Sequence, residues 1–172
     1  IIFIVTGGIF FSAYQSSTIF NDRVNETILS IKNFESNKKT SLGERLVMAQ
    51  NSWEIIIENP IIGVGTGDFP SAYAEVNQKN TPNMPYSENP HNMFLLVLVQ
   101  LGIVGLVSFL SIFYYQIKQS FLSKNKFIRD VGITLPLLFL IIMWTDTYLL
   151  GHYTSLLYIF FSSFLYKDFS RH

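Results

Sequence analysis

Residues 89–95 read Asn89-Pro90-His91-Asn92-Met93-Phe94-Leu95, and they separate a long polar segment from an apolar run. The apolar run, 93–115, has no charged side chain and is longer than the roughly 20 residues that a membrane-spanning helix needs. Asn is favoured at the N-cap and Pro at the first helical position, so the first two residues of the stretch predict a helix start. We therefore expect His91 and Asn92 in the first turn of a membrane helix, at the boundary with water.

This position suggests a chemistry for His91. The first turn of a helix has unpaired backbone N–H groups and lies at the positive end of the helix dipole. Such an end binds anions, phosphate above all, and disfavours a charged imidazolium, which leaves His91 able to accept a proton. The alternative is an ordinary interfacial histidine with its polar tip in water, and the local sequence leaves both interpretations open.

The composition indicates a membrane protein. Of the 172 residues, 49% are hydrophobic and 14% are charged, and 16 Phe and nine Tyr suit aromatic belts at membrane interfaces. The chain contains no Cys, which excludes disulfides, thiolate metal sites and cysteine nucleophiles. A net charge of zero argues against a nucleic-acid partner. No acidic metal cluster is visible, so we expect no metal ion.

Two helices and a turn are predicted in the polar segment. Ser41-Leu42-Gly43-Glu44 has capping-box spacing, and Asn59-Pro60 would end the helix that it starts. The expected apolar stripe of that helix is Leu42, Leu46, Ala49, Trp53 and Ile56. Gly63-Val64-Gly65-Thr66-Gly67 lacks the spacing of a nucleotide-binding loop, so we interpret it as a tight turn and expect no cofactor. A short helix capped by Asp68 should follow, to about Gln78.

The apolar and charged stretches predict a topology. An apolar stretch at 131–166 would be about 54 Å long as one helix, so we expect a hairpin that turns between Thr145 and Gly151. Lys and Arg mark the cytoplasmic side, and the basic end of the chain includes Lys167 and Arg171. The predicted segments are the end of a truncated membrane helix (1–14), an extracytoplasmic helical segment (15–90), a membrane helix (91–115), a cytoplasmic loop (116–130), a membrane hairpin (131–166) and a cytoplasmic tail (167–172).

Several polar side chains have both a functional and an ordinary interpretation. Arg45, early in the first predicted helix, is either an anion clamp that binds phosphate bidentately or a solvated residue paired with Glu44 or another neighbour. Arg23 has the same two interpretations. Asp146 and His152 flank the hairpin turn and are either functional or merely interfacial. The small residues Gly102, Gly105 and Ser108 would let another helix approach the membrane helix closely.

Taken in order, these pieces form a recognisable pattern. It consists of Arg45, Trp53, Asn59-Pro60-Ile61-Ile62-Gly63-Val64-Gly65-Thr66-Gly67-Asp68-Phe69, Pro90-His91-Asn92 and Gln100-Leu101-Gly102-Ile103-Val104-Gly105. The pattern resembles the O-antigen ligase/polymerase superfamily over about residues 20–115. Members often have Glu where this chain has Gln100.

The resemblance implies an all-α fold of the GT-C glycosyltransferase type, with polytopic membrane helices and a helical extracytoplasmic segment. Such enzymes lie in the bacterial cytoplasmic (inner) membrane. They transfer a glycan from an undecaprenyl-diphosphate carrier to a glycan or lipid acceptor on the extracytoplasmic face, without a metal. The chain would then be a C-terminal fragment of such an enzyme.

The resemblance also implies roles for individual residues. Arg45 would help to hold the carrier diphosphate, and His91 would take the proton from the acceptor hydroxyl. Asn92 and Arg23 are the candidate substrate-binding residues. The family uses a further arginine in an earlier outer loop, which this chain does not contain.

Two other classes remain open at this point. A transporter or flippase fragment would have charged groups inside its membrane helices and a helix broken at mid-membrane. The sequence shows no such charge. The third possibility is an inactive, truncated remnant with a structural role only.

Overall fold

The protein is helical throughout the part of the chain that the structure describes. The structure, a computed structural model, describes the backbone of residues 2–34 and 37–167 and the side chains of 7–34 and 37–163. The α-helices found there are α1 (Ile2–Ser16), α2 (Thr18–Lys32), α3 (Ser41–Glu58), α4 (Phe69–Asn80), α5 (Met93–Leu122), α6 (Lys126–Ile142) and α7 (His152–Lys167). No strand occurs in these ranges, and the all-α prediction is confirmed. Arg171 of the predicted tail lies outside the described residues.

The chain divides into two compact units, Ile1–Val47 and Met48–His172. In the first unit, α1 and α2 meet at Ser17, whose side chain caps α2 by accepting a hydrogen bond from the backbone of Phe20 at 3.2 Å. The rings of Phe10 and Phe20 then pack edge to face, with centroids 5.3 Å apart. The second unit contains most of α3 and all of α4–α7.

Helix α3 begins at Ser41, and its capping residue is Thr40. The Thr40 hydroxyl accepts a hydrogen bond from the backbone N–H of Gly43 at 3.0 Å. The capping box predicted at Ser41 is therefore wrong by one residue, because the threonine before it has an equally suitable hydroxyl.

The buried face of α3 also differs from the predicted stripe. Trp53 is 54% exposed and Leu46 is 36% exposed. Within the second unit, the buried residues of α3 are Met48, Asn51, Ser52, Ile55 and Ile56. Two of these are polar, so hydrophobic periodicity could not find the face. The Asn51 amide instead donates to the hydroxyl of Thr81, just beyond α4, at 2.8 Å.

Helix α4 confirms the prediction of a short helix after Asp68, although it continues to Asn80. Its buried side chains include Phe69 and Tyr73, whose stacked rings lie 5.4 Å apart. Glu54 of α3 accepts hydrogen bonds from Lys79, at 3.0 Å, and from Asn80. These bonds join the end of α4 to α3.

Helix α5 is the one described helix that is long and apolar enough to cross a membrane. It is broken at Gly102, which has a φ of 62° and a ψ of −161°. We call the arms α5a (93–101) and α5b (103–122). The rings of Phe94 and Phe109 are 6.4 Å apart, whereas residues at this spacing in a continuous helix are about 22 Å apart. The arms therefore fold back towards each other, and α5b alone is about 30 Å long, the thickness of a hydrocarbon core.

The break in α5 is closed by the loop between α3 and α4. Backbone N–H groups of the loop donate to carbonyls at the end of α5a, and N–H groups at the start of α5b donate back to the loop. The four bonds are Val64 to Val99 (2.9 Å), Gly65 to Gln100 (3.0 Å), Ile103 to Pro60 (2.9 Å) and Val104 to Ile61 (3.3 Å). We call these paired stretches, 60–65 and 99–104, the glycine clasp.

Two glycines make the clasp possible. A Cβ on Gly63 would lie 2.4 Å from the carbonyl carbon of Gln100, and one on Gly102 would lie 2.3 Å from the backbone of Ile61. Both have a positive φ, of 69° and 62°. The turn predicted at 63–67 thus packs on a second backbone, and a loop, rather than another helix, approaches Gly102.

The arm α5b packs with α6 and α7 around an aromatic core. Phe113 and Phe139 both contact the ring of Tyr158, at centroid distances of 5.6 and 4.8 Å. The Tyr158 hydroxyl donates to Gln116 Oε1, and Gln116 Nε2 donates to Ser162 Oγ at 3.1 Å. The turn 143–151, which includes the 3-10 helix Tyr148–Leu150, joins α6 to α7.

Candidate active site

His91 lies immediately before α5 and not within its first turn. The N-cap is Asn92, whose Oδ1 accepts from the backbone N–H groups of Phe94 and Leu95 at 2.9 and 3.1 Å. His91 has a φ of 48°, a left-handed conformation that does not fit the first turn of an α-helix. The predicted cap at Asn89 is therefore wrong, and Asn89 instead accepts from the His91 N–H at 3.0 Å.

The start of α5 is not open to an anion. The Met93 N–H donates to the carbonyl of Met143 at 2.9 Å, and the Leu96 N–H donates to the carbonyl of Asn92 at 3.0 Å. Asn92 Oδ1 occupies the two N–H groups between them. The expectation that this helix end binds phosphate is wrong, because protein oxygens already take these donors.

The imidazole of His91 is paired with a carboxylate. His91 Nδ1 lies 3.2 Å from Asp146 Oδ1, and the side chains are 35% and 39% exposed. An ionised carboxylate only accepts hydrogen bonds, so a neutral ring in this pair carries its hydrogen on Nδ1. Nε2 then has a free lone pair, as a general base requires.

Asp146 is itself fixed in the turn between α6 and α7. Its Oδ1 accepts from the backbone N–H of Thr147 at 2.7 Å. Two residues earlier, Trp144 accepts from Asn92 Nδ2 at 3.2 Å and packs against the Phe94 ring at 5.3 Å. The segment before α5 and the turn after α6 are thus bonded to each other next to the pair.

Asn92, predicted to bind substrate, is engaged within the protein. Its Oδ1 caps α5, and one hydrogen of its Nδ2 goes to Trp144. A primary amide has two such hydrogens, so Nδ2 retains one donor for another partner.

The two arginines belong to the first unit. Arg45 is exposed on α3, and within the described residues no hydrogen bond or ion pair engages its guanidinium, including the considered pairing with Glu44. Arg23 is exposed on α2 and pairs with Glu26 at 3.1 Å. Arg23 also lines a cavity of about 500 Å³ beside Ser41, at the start of α3. His91 is in the second unit, so its meeting with Arg45 stays a prediction.

Over the described ranges, no group of three or more His, Asp or Glu side chains is placed to hold a metal ion.

The sequence alone does not single out Asp146 as a site residue. It is 55 residues from His91, and no local spacing connects the two. The one sequence signal was an ionisable residue in the turn of an apolar hairpin. His152, the other candidate there, is exposed at the start of α7.

The chain was compared with known families and proteins. The model of the O-antigen ligase family matches residues 1–110. The match covers more than half of the 172 residues and includes Arg23, Arg45, His91 and Asn92, while Asp146 lies beyond it. A comparison with curated proteins finds no match. The chain belongs to the O-antigen ligase family.

Proposed function

We propose that this chain carries part of the active site of a bacterial inner-membrane glycosyltransferase of the ligase or polymerase type. Its donor is a glycan linked to undecaprenyl diphosphate, and its acceptor is a glycan or lipid hydroxyl on the extracytoplasmic face. The observation that supports this most directly is the His91–Asp146 pair, at 3.2 Å. The chemistry of glycosyl transfer needs a base of this kind.

In the proposed reaction, the acceptor oxygen attacks the anomeric carbon of the donor sugar, with inversion. The bond between that carbon and the phosphate oxygen breaks, and its electron pair leaves with the diphosphate. The acceptor proton passes to His91 Nε2. Asp146 keeps the hydrogen of the ring on Nδ1 and stabilises the imidazolium that forms, so it is a positioning residue.

The leaving diphosphate gains negative charge that must be stabilised. The N–H groups at the start of α5 are occupied, so this role falls to cationic side chains. Arg45 suits it, because its exposed guanidinium has no partner among the described residues and its planar fork is available for phosphate oxygens. We assign Arg23 and the second Nδ2 hydrogen of Asn92 to substrate binding.

One observation favours a transporter or flippase as the second candidate function. Helix α5 is broken at Gly102, and transporters often bind their substrates at broken membrane helices. In transporters, however, the groups freed by the break bind the ion or substrate. Here Val99 and Gln100 carbonyls and the Ile103 and Val104 N–H groups are bonded to the loop before α4. The break is therefore closed by protein, which favours the glycosyltransferase.

Glycan transfer by the intact protein tests the proposal. His91→Ala should reduce transfer from an undecaprenyl-diphosphate donor by about 10²–10⁴-fold, the usual contribution of a general base. His152→Ala is the matched control, since that histidine is exposed at the start of α7. It should retain normal transfer. Near-normal transfer by His91→Ala, at normal expression and insertion, would exclude His91 as the base. Absence of transfer by the unaltered intact protein would instead leave the inactive remnant or the transporter.

A further inference from the structure

The loop between α3 and α4 exposes apolar side chains. Ile61 is 63% exposed and Ile62 is 74% exposed. The stretch 59–67 has no charged residue, and Glu58 and Asp68 stand at its two ends. Two adjacent exposed isoleucines between charged boundaries are unfavourable in water, because each leaves an apolar side chain hydrated.

The same loop pairs several of its backbone groups with protein. Three consecutive N–H groups, of Gly63, Val64 and Gly65, donate to carbonyls, and the carbonyls of Pro60 and Ile61 accept from α5b. Irregular backbone at membrane depth requires its polar groups to be satisfied by protein or by water. These bonds satisfy five backbone groups of the loop, which lowers the cost of placing it in the membrane.

The exposed isoleucines continue the apolar surface of α5b. The clasp joins the loop to Ile103 and Val104, which are 49% and 55% exposed, and Val107 on the next turn is 61% exposed. These residues belong to the helix that has the composition of a membrane span.

The position of Lys118 indicates where this surface lies in the bilayer. Lys118 is the charged residue of α5b, and its ammonium lies 6.0 Å from the centre of the Tyr115 ring, an arrangement typical of an interface. Ile103 is about 22 Å from Lys118 along the helix, whereas a hydrocarbon core is about 30 Å thick. A core that starts at Lys118 therefore extends about 8 Å past Ile103 and covers the loop.

We propose that the loop 59–67 is embedded in the membrane and that Ile61 and Ile62 contact lipid acyl chains. The polar segment 15–90 is then not wholly extracytoplasmic, since it returns to the bilayer between α3 and α4. This inference rests on the spanning position of α5b and is independent of the proposed glycosyl transfer.

Quenching by brominated lipid tests the proposal. Ile62→Cys is labelled with the fluorophore NBD in the intact, otherwise cysteine-free protein, in vesicles of phosphatidylethanolamine and phosphatidylglycerol. The same label at Val107→Cys is the control for a lipid-facing position, and the label at Tyr86→Cys, where the native side chain is 54% exposed after α4, is the control for water. The side chain of Ile62 is exposed, so its replacement should not disturb folding.

Phospholipids brominated on the acyl chains should quench the labels at Ile62 and Val107 to within about twofold of each other and leave the label at Tyr86 bright. Aqueous iodide should quench only the label at Tyr86. Iodide quenching at Ile62 would place the loop in water and overturn the proposal. Protection of Ile62 from both quenchers would also overturn it, because the isoleucines would then be covered by protein.

Discussion

The Nδ1 atom of His91 and the Oδ1 atom of Asp146 lie 3.2 Å apart, although the residues are separated by 55 positions in sequence. Their segments are bonded to each other at adjacent positions as well, through Asn92 and Trp144 and through the backbone of Met93 and Met143. Replacing one side chain of the pair should therefore leave the two segments together, which makes the pair suitable for mutation.

Asp146→Asn should lower glycan transfer strongly while the protein stays folded. An amide at this position can donate to Nδ1, which moves the hydrogen of the neutral ring to Nε2 and removes the proton acceptor. Loss of an orienting carboxylate has reduced histidine-based catalysis elsewhere by about 10⁴-fold, and we expect a loss of about 10²–10⁴-fold here. Initial transfer rates across a range of pH measure it.

The double variant separates orientation from an independent role. If Asp146 acts through His91, then His91→Ala combined with Asp146→Asn should be no slower than His91→Ala alone, since residues that act as a unit are not additive. If the rate losses of the two single variants multiply in the double variant, Asp146 contributes independently of His91. Its assigned role as a positioning residue would then be wrong.

Gly63→Ala and Gly102→Ala should each destabilise the second unit. The added Cβ would lie 2.4 Å from Gln100 or 2.3 Å from Ile61, at backbone atoms that have no flexible end to move. The positive φ of both residues adds roughly 1–2 kcal/mol of strain. We expect a total of about 2–5 kcal/mol, seen as a lower midpoint of thermal unfolding in detergent.

Gly8→Ala is the matched control for the clasp variants. Gly8 is within α1, and a Cβ there would meet nothing within 4 Å. Alanine is favoured over glycine inside a helix, so this variant should be neutral or slightly more stable. Equal midpoints for all three alanine variants would contradict the role of the clasp.

Local patterns predicted the helices better than the contacts among them. The proline and glycine pattern correctly predicted where the chain turns between α3 and α4, and Asp68 correctly predicted where α4 begins. The cap of α5 was misplaced because Asn89 and Asn92 are equally good capping residues, and only the tertiary bonds of the His91 segment decide between them.

The glycine clasp and the catalytic pair could not be predicted because they join distant segments. The Gly102 break is hidden in an uninterrupted apolar run, where a glycine looks like a helix-packing residue. The structure gives Gln100 a simple role, since its Oε1 accepts from the Gly67 N–H at 3.2 Å. A carboxylate oxygen at this position could accept from the same N–H.

The attachment of α4 to α3 should weaken in acid. Hydrogen bonds from Lys79 and Asn80 hold the pKa of Glu54 below its ordinary 4.5. A lowered pKa means that the stabilisation is fully present above pH 4.5 and is lost as the pH falls through the lower value of the folded protein. Amide exchange in α4, corrected for intrinsic rates, should therefore accelerate below pH 4.5 and stay constant from pH 5 to 8.

Glu54→Gln is the control for this titration. A neutral amide does not ionise, so exchange in α4 should be faster at neutral pH and should lose the acid-dependent step. If amide exchange in α4 of the variant rises by the same amount below pH 4.5, another carboxylate causes the pH dependence.

Tyr158→Phe should loosen the packing of α7 on α5b. It removes the hydroxyl that donates to Gln116 Oε1, and Gln116 is only 2% exposed. Hydrogen bonds between membrane helices contribute about 0.6–1.7 kcal/mol, so we expect a loss of that size in unfolding free energy. Tyr153→Phe, at a side chain that is 90% exposed, should change nothing measurable. Equal stabilities for the two variants would show that the buried bond contributes little.

Arg45→Lys should impair glycan transfer although it keeps the positive charge. An ammonium is a point charge and cannot bind two phosphate oxygens with a planar fork. One charge-assisted hydrogen bond contributes about 1.5–3 kcal/mol, so we expect a loss of about 10- to 100-fold in kcat/KM for the undecaprenyl-diphosphate donor. Because negative charge grows on the diphosphate as the sugar leaves, kcat should fall as well as KM rise.

Arg129→Lys provides the matched comparison. Arg129 lies on α6 and is 3.8 Å from its neighbour Asp130, a pairing between exposed side chains that tolerates an ammonium. This variant should transfer glycan at the normal rate. Full activity of Arg45→Lys would show that only the positive charge of Arg45 matters. Full activity of Arg45→Ala would show that Arg45 has no role in transfer. In that case the diphosphate would have to be held by other cations, with Arg23 as the next residue to test.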